Sequence, residues 1–503
     1  MSRGDDIERP NVLYVMADDH AANAIGAYGS HLTEVAPTEN IDRLAHEGAR
    51  LDNCTCTNSI CTPSRASILT GQHSHTNGVR TLADEMDPDR RHLAHHLQDA
   101  GYRTGIVGKW HLETEPQGFD YYNVLPGQGR YDDPLLKRRG EPWDGDGQVY
   151  DGYSADVITD QALGWLEGTV GGGAGHGDDP FFLQCHFKAP HRAWKYPHRH
   201  ADLFEGRRIP EPASLFEDKS HRSKAGREHG SRISSKNPVQ PMVEEVKAGD
   251  LGREGGIDTT GMDEKTRTRA AYQRYLSDYL RTIAGIDDNV GRLLDYLDDA
   301  GLAEDTLVIY TSDQGMFLGE HDQYDKRWMY EESHRMPFIA RYPEEIPADT
   351  FVDDLVANVD FAPTILDYAG VDVPDRMQGR SVRGSLAGDP SADSREAVYY
   401  RYWMHRAHHD VPAHYGLRTD RYKLIFFYGL PLDATNAGDD PSPPGWELYD
   451  LERDPHELNN VYDDPAYADV REELKRRLTE RKRALGDEDD GYPELVELKE
   501  KHW

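Results

Sequence analysis

Four short segments of this 503-residue chain end in residue types that chemistry needs: Asp18-Asp19, Lys109 with His111, Lys188 with His191, and Asp313-Gln314. Asp18, Asp19, Asp313 and Gln314 together offer a cation four ligands through oxygen alone. Hard oxygen donors select calcium or magnesium over zinc or copper. Three carboxylates around one divalent ion leave net negative charge. Lys109, His111, His191 and Lys326 are placed to offset it and to hold the oxygens of an anion. Taken singly, each group has a plainer reading: an Asp-Asp pair is commonly a turn or a helix cap, and a lone histidine is commonly structural. The constellation carries the reading.

A fifth segment, TNSICTPSRASILTGQ (57–72), holds Cys61 and follows Cys54 and Cys56, so it accounts for three of the four cysteines. Cys61 precedes a helix expected over Ser64–Thr70. An oxygen nucleophile there would face the positive end of the helix dipole, with Arg65 pointing back toward it. Two other readings stand beside this one. In one, Cys54, Cys56 and Cys61 are zinc ligands, although C-x-C-x4-C is not a common zinc spacing and no histidine completes it nearby. In the other, Cys61 acts directly as a thiol nucleophile.

The elements that must position these residues can be read from apolar patterning. NVLYVMADD (11–19), YRTGIVGKW (102–110), PFFLQCHFK (180–188), TLVIYTSD (306–313) and MPFIARYP (336–343) are short, β-rich runs that read as buried strands. Helical patterns lie between them, at Ile41–Glu47, Ser64–Thr70, Leu93–Ala100 and Tyr272–Ala300. Strands alternating with helices predict an α/β fold, with a mostly parallel sheet covered on both faces. In such sheets ligands bind just beyond the carboxyl ends of the strands, which is where the four chemical segments fall. A polar stretch from about Asp218 to Met262 has little periodicity and reads as a surface excursion, either a lid or a tolerated insertion. Past Ser385 the texture changes to alternating strands followed by a charged helix near 464–485. The expected division is a catalytic α/β domain over 1–385 and a smaller α+β unit over 386–503, built on an antiparallel sheet and a helix.

Aspartate and glutamate number 91 against 57 lysines and arginines, a formal charge of −34. A surface of that sign repels nucleic acid and anionic membranes, and its spread along the chain suits a halophilic protein. No apolar run approaches the roughly 18 residues that cross a bilayer. The start, MSRGDDIERP, lacks the pattern of a secretory signal, so a cytoplasmic protein is expected. Four cysteines in this length make no disulfide framework.

These residues also resemble a known family. C-T-P-S-R at 61–65, followed by ASILTG, is similar to the type I sulfatase signature Cys-x-Pro-x-Arg. GKWH (108–111), Asp-Asp at 18–19, SDQG (312–315), DKRWMYEESHRMPF (325–338) and ELYDLERDPHELNN (447–460) fall in the order usual in that family. The resemblance covers essentially the whole chain and implies an alkaline-phosphatase-like fold with calcium or magnesium. It implies oxidation of Cys61 to formylglycine by a maturation enzyme that reads Cys61, Pro63 and Arg65. One oxygen of the aldehyde hydrate would then attack sulfur and displace the alcohol, and loss of the second hydroxyl's proton would break the C–O bond, expel sulfate and restore the aldehyde. By the same resemblance Asp18, Asp19, Asp313 and Gln314 bind metal, and Arg65 anchors the formylglycine. Lys109 and Lys326 hold sulfate oxygens, His111 assists the proton loss, and His191 serves as general acid for the leaving alcohol. Gln314 departs from the asparagine or histidine frequent at that position, which puts the ligand geometry in question. The runs at 312–338 and RAHHDVPAHYGLRTDRYKLI (406–425) resemble sulfatases of sulfated carbohydrates, including those acting on N-acetylglucosamine 6-sulfate. They set His408, His414 and Arg418 where the smaller unit would reach the substrate. A small aryl or alkyl sulfate, a phosphate or phosphonate ester on the same fold, and non-catalytic binding of sulfated glycans are the competing expectations.

Overall fold

The computed structural model describes residues 9–171, 173, 179–234, 241–389, 391–392 and 394–503. Five parallel strands form the centre of a ten-stranded sheet, in the order Thr306–Ser312, Asn11–Ala17, Phe181–His186, Arg103–Lys109 and Tyr121–Leu125. Phe338–Arg341 continues it antiparallel beside Thr306–Ser312, followed by Ala49–Leu51 and Thr350–Val352. Leu135–Arg138 and Gln148–Val149 extend the other edge.

The central strands read as unbroken apolar runs because helices cover both faces. Along Asn11–Ala17 the side chains alternate: Val12, Tyr14 and Met16 enter one core, Leu13, Val15 and Ala17 the other. The first core is closed by the helices Cys61–Thr70, Leu93–Asp99 and Phe361–Tyr368, the second by Glu39–His46, Ser154–Leu166 and Glu264–Asp299.

Two helices start earlier than their sequence pattern suggests. The Cys61 helix begins at Cys61 itself, with Ile60 extended before it and the first helical bond running from Ser64 N to Ile60 O. It is buried on every side, so no polar stripe marks its start. The long helix begins at Glu264, where the Asp263 side chain accepts from Thr266 N at 2.8 Å, eight residues before Tyr272. Its first turns are exposed and charged and carry no apolar periodicity. The 218–262 excursion is partly built: short helices occupy Lys224–Glu228 and Met242–Ala248, and Met242, Val243 and Val246 pack against the long helix. Residues 235–240 of that stretch lie outside the described residues.

Past Val398 the chain makes an antiparallel meander of Val398–Tyr402, His414–Arg418, Tyr422–Phe427 and Gly445–Asp450. Leu424 and Phe426 pack under the helix Ala468–Leu485, whereas Ile425 and Phe427 join the first core beside Trp328 and Tyr330. The small sheet is therefore clamped between its own helix and the large unit. A second terminal helix, Pro493–His502, adds Leu495 to the same cluster. Among the described residues no helix is long and apolar enough to cross a membrane.

Candidate active site

The strand ends deliver their side chains to one edge. Asp18 and Asp19 follow Ala17, Lys109 closes its strand, and Asp313 and Gln314 follow Ser312. All five are at most 1% exposed. The Asp19 backbone N–H donates to Asp313 Oδ1 at 3.1 Å, which ties the first strand end to the fourth. Arg65, one turn into the Cys61 helix, donates to Asp313 Oδ2 at 3.0 Å and to the Lys109 carbonyl at 2.9 Å, and its Nη2 lies 3.6 Å from Asp18 Oδ1. Ser64 donates to the Asp313 carbonyl and accepts from Asn358 Nδ2 at 2.8 Å. The helix carrying Cys61 is thereby fastened to the metal-ligand candidates rather than merely packed near them.

Lys109 donates to Asp18 and, at 2.6 Å, to Gln128 Oε1. Lys326 donates to Asp19 Oδ2 at 2.5 Å. His191 lies with Nε2 3.8 Å from Asp19 Oδ2, and its Nδ1 hydrogen goes to the Arg192 carbonyl at 2.8 Å. His111 Nδ1 is 3.5 Å from Thr62 Oγ1 on the same helix as Cys61. Asp19, His111, Asp325 and Arg327 all hold positive φ, between 53° and 88°, a strained backbone gathered around one site.

Burial pushes the Cys61 thiol up to about 12, against the pull of Lys326 and Lys109. Burial, with Asp18 beside it, pushes the Asp313 carboxyl up to about 7. Burial also lowers His111 and His191 well below the usual histidine value, so both are neutral. Lys188 is lowered to about 8 by burial and by Lys109.

A divalent cation fits this site. Ligand atoms of Asp18, Asp19 and Cys61 lie within 4.8 Å of one another, the only group of three or more such residues among those described. Asp18 Oδ1 and Gln314 Oε1 are buried without a hydrogen-bond partner. Gln314 turns its amide nitrogen to Asp19 and, at 3.8 Å, to Cys61 Sγ; a half-turn of the amide brings Oε1 to the same space. Buried carboxylates crowded until one loses acidity are what a cation relieves. The same grouping disposes of a zinc site on Cys54, Cys56 and Cys61, because the first two are not part of it. Cys56 instead points at the Ser333 and His334 carbonyls.

Above Cys61 opens a cleft of about 280 Å³ lined by Asp19, Cys61, Gln128, His191, Arg192, Trp194, Tyr324, Asp325, Lys326, Arg327, His408 and His409. His408 therefore reaches the cleft. His414 and Arg418 do not, and their expected substrate contacts are corrected here. His414 is fully buried among Trp328, Tyr400, Tyr402 and Phe427 and bonds the Pro412 carbonyl at 2.7 Å. Arg418 ends the same strand, bonds Asn53 Oδ1 at 2.8 Å and lines a separate cavity of about 660 Å³. The strand His414–Arg418 is inside the core; the loop before it faces the cleft. Gln128, Arg192 and His409 were not anticipated. Their only signal in the sequence was position: Arg192 directly follows His191, and His409 directly follows His408.

Comparison with known proteins agrees with this geometry. The sulfatase family model matches residues 10–371, and the C-terminal model of N-sulphoglucosamine sulphohydrolase matches 319–484. An N-acetylglucosamine-6-O-sulfatase of Bacteroides thetaiotaomicron is 40% identical over 98% of this chain and 90% of its own. A structure solved in complex with its substrate D-glucosamine-2-N,6-O-disulfate superposes with a TM-score of 0.84 at 39% identity, covering 96% of this chain and 100% of the other. A phosphonate monoester hydrolase of Agrobacterium radiobacter shares the fold at a TM-score of 0.69 and 22% identity, covering 95% and 96%. An alkaline-phosphatase-like sheet that gathers oxygen ligands, two lysines and a Cys-x-Pro-x-Arg helix at one edge, in a chain so matched, belongs to the sulfatase family.

Proposed function

We propose that the protein hydrolyses the 6-O-sulfate ester of a glucosamine-type sugar and releases inorganic sulfate, using a formylglycine made from Cys61 by a maturation enzyme and a calcium ion, or magnesium. The observation that carries this reading is the position of Cys61, at the start of a buried helix and within 4.8 Å of both aspartates, in a chain 40% identical to an N-acetylglucosamine-6-O-sulfatase. A cleft of about 280 Å³ suits one sugar ring more than a long glycan segment.

Asp18, Asp19, Asp313 and Gln314 would hold the cation, which would supply charge neutralisation for the sulfate and acidify the nucleophile. A hydrated formylglycine at position 61 supplies an oxygen nucleophile with a second hydroxyl through which sulfate can later depart. The remaining work belongs to side chains already in place. Lys326 lines the cleft and binds sulfate oxygens while neutralising Asp19. Lys109 is sealed beneath, bonded to Asp18 and Gln128, and holds the charge balance of the ligand set. Arg65 fixes the helix that carries position 61. Neutral His111, beside Thr62, accepts the proton released when sulfate leaves. His191 keeps its Nδ1 hydrogen on the Arg192 carbonyl, so Nε2 gives a proton to the leaving alcohol only after the neutral ring has taken one up from solvent.

The test has two parts. The Cys61 peptide from host-made protein should be lighter by about 18 Da, the mass change of thiol to aldehyde. Unmodified cysteine in active enzyme would sink the mechanism. The same enzyme should release sulfate from N-acetylglucosamine 6-sulfate with a kcat/KM at least about a hundredfold above that for the matched phosphate ester. The reverse preference would make it a phosphoester hydrolase on this fold.

A further inference from the structure

We propose that a second cavity, outside the catalytic cleft, binds a sulfate group on Lys219 and Arg232. The site stands on its own geometry; only the origin of its sulfate rests on the sugar-sulfate reading above. The cavity has a volume of about 390 Å³ and lies between the 218–262 excursion and the start of the long helix, where Thr268 lines it. Two cations in its wall are left unanswered. Lys219 Nζ and Arg232 Nε are both sealed from bulk water and lack a hydrogen-bond partner among the described residues. Arg232 is 7% exposed, and its Nη2 donates to the Arg227 carbonyl, which fixes the guanidinium and leaves Nε over. Burial and the neighbouring Arg232 pull Lys219 down to about 7, and burial lowers Arg232 as well.

The acids at hand are committed elsewhere. Glu217 pairs with Arg222 at 2.7 Å and with His321. Asp218 accepts from Ser220 N at 3.0 Å, and Asp322 accepts from Ser234 N at 2.9 Å and from the Ser234 hydroxyl. Buried cations without a partner are costly, and in a chain with 91 acidic residues two of them side by side mark a place for an external anion. A tetrahedral oxyanion has separate oxygens for both. The guanidinium is held in place, and the four-carbon stem of lysine lets Nζ swing toward the ion. The same chemistry serves the sulfate ester of a glycan and the inorganic sulfate that the reaction releases. The volume exceeds what a bare ion fills, and Phe216, 38% exposed and lining the same cavity, offers a sugar an apolar contact.

The experiment is equilibrium dialysis of labelled sulfate near about pH 6, where Lys219 is charged, at constant ionic strength in chloride. The full chain carries Cys61→Ala, so that no ester is consumed. Adding Lys219→Met removes the charge and keeps most of the side chain, and it should abolish one class of bound sulfate. The melting temperature without sulfate should stay or rise, because the lost cation had no partner. Lys219→Arg should hold sulfate within about threefold of the parent affinity. Sulfate binding that Lys219→Met leaves unchanged, in protein that still melts cooperatively, overturns the inference. If Lys219→Met does not fold, parent crystals soaked in selenate decide by anomalous scattering: selenium beside Lys219 and Arg232 supports the site, and selenium in the catalytic cleft alone overturns it. A sulfated disaccharide that displaces the Lys219-dependent sulfate at a concentration about tenfold or more below that of sulfate itself names a glycan as the source, and displacement no better than by sulfate names the free ion. A matured enzyme that turns over no sugar sulfate would sink the substrate reading while leaving the Lys219-dependent binding in place.

Discussion

Lys109 and Lys326 look alike in the sequence, one cation each after a strand or a turn, yet their surroundings divide their work. Lys326 lines the cleft, whereas Lys109 is fully buried and bonded to Asp18 and Gln128. Replacing either by alanine strands a buried carboxylate, Asp19 for Lys326 and Asp18 for Lys109, but Lys326→Ala should in addition remove a contact to the reacting sulfate and lower kcat/KM of the folded enzyme by about 10²–10³. Lys109→Ala should unfold the protein more easily, by about 3–5 kcal/mol, because it strands a buried carboxylate. Kinetics and thermal melts on the two variants check this, and equal losses of kcat/KM in the folded enzymes would contradict the division. The shared edge of Asp18, Asp19, Asp313 and Gln314 was legible because each pair follows a strand buried on both faces, so the sheet rule fixes where it lies. Arg192, His409 and Gln128 were not, because they come from irregular loops in which no periodicity says which side chain turns inward. His414 was misplaced for a related reason: its strand was legible, but alternation alone does not say which face is core.

At the scale of elements, the longest helix is also part of the site. Tyr279, in the middle of Glu264–Asp299, donates to the Asp19 carbonyl at 2.8 Å and accepts from Ala21 N at 2.9 Å. It pins the loop that holds Asp19 at positive φ. Tyr279→Phe keeps the ring and its packing on the helix while removing both bonds. We expect the divalent-cation concentration for half-maximal activity to rise about tenfold or more, the scale of lost supporting contacts to metal ligands. Stability should fall by about 1–3 kcal/mol for the unmatched backbone groups. A metal titration at fixed substrate decides it; an unchanged midpoint would mean that the Asp313 bond alone positions Asp19. The helix itself was legible from Tyr272 onward, where apolar residues recur on one face. Its first two turns were not, since only the Asp263 cap and tertiary position mark them. The small sheet was legible from its alternation. The seven-residue helix Met242–Ala248 was not, because three buried side chains are too few to make a pattern.

The whole molecule sets a long-range field against a short-range site. A formal charge of −34 surrounds a cleft that must admit an anion. Excess negative charge on the surface destabilises the compact state and slows the approach of a sulfate ester. Contacts made inside the cleft, beside buried Lys326, are shielded from bulk solvent, so salt weakens them little. The surface repulsion acts over distances that salt erases: the screening length falls from about 10 Å at 0.1 M to about 3 Å at 1 M. Raising potassium chloride through that range should therefore increase both the melting temperature, by a few degrees or more, and kcat/KM. The sign is the informative part. A rise in both quantities identifies the acidic exterior as an adaptation to salt, of the kind expected from composition. A fall in kcat/KM with a rising melting temperature would mean that exposed cations at the rim, Arg192 foremost, draw the substrate in, and that their attraction outweighs the repulsion of the surface. A melting temperature indifferent to salt would remove the halophilic reading altogether.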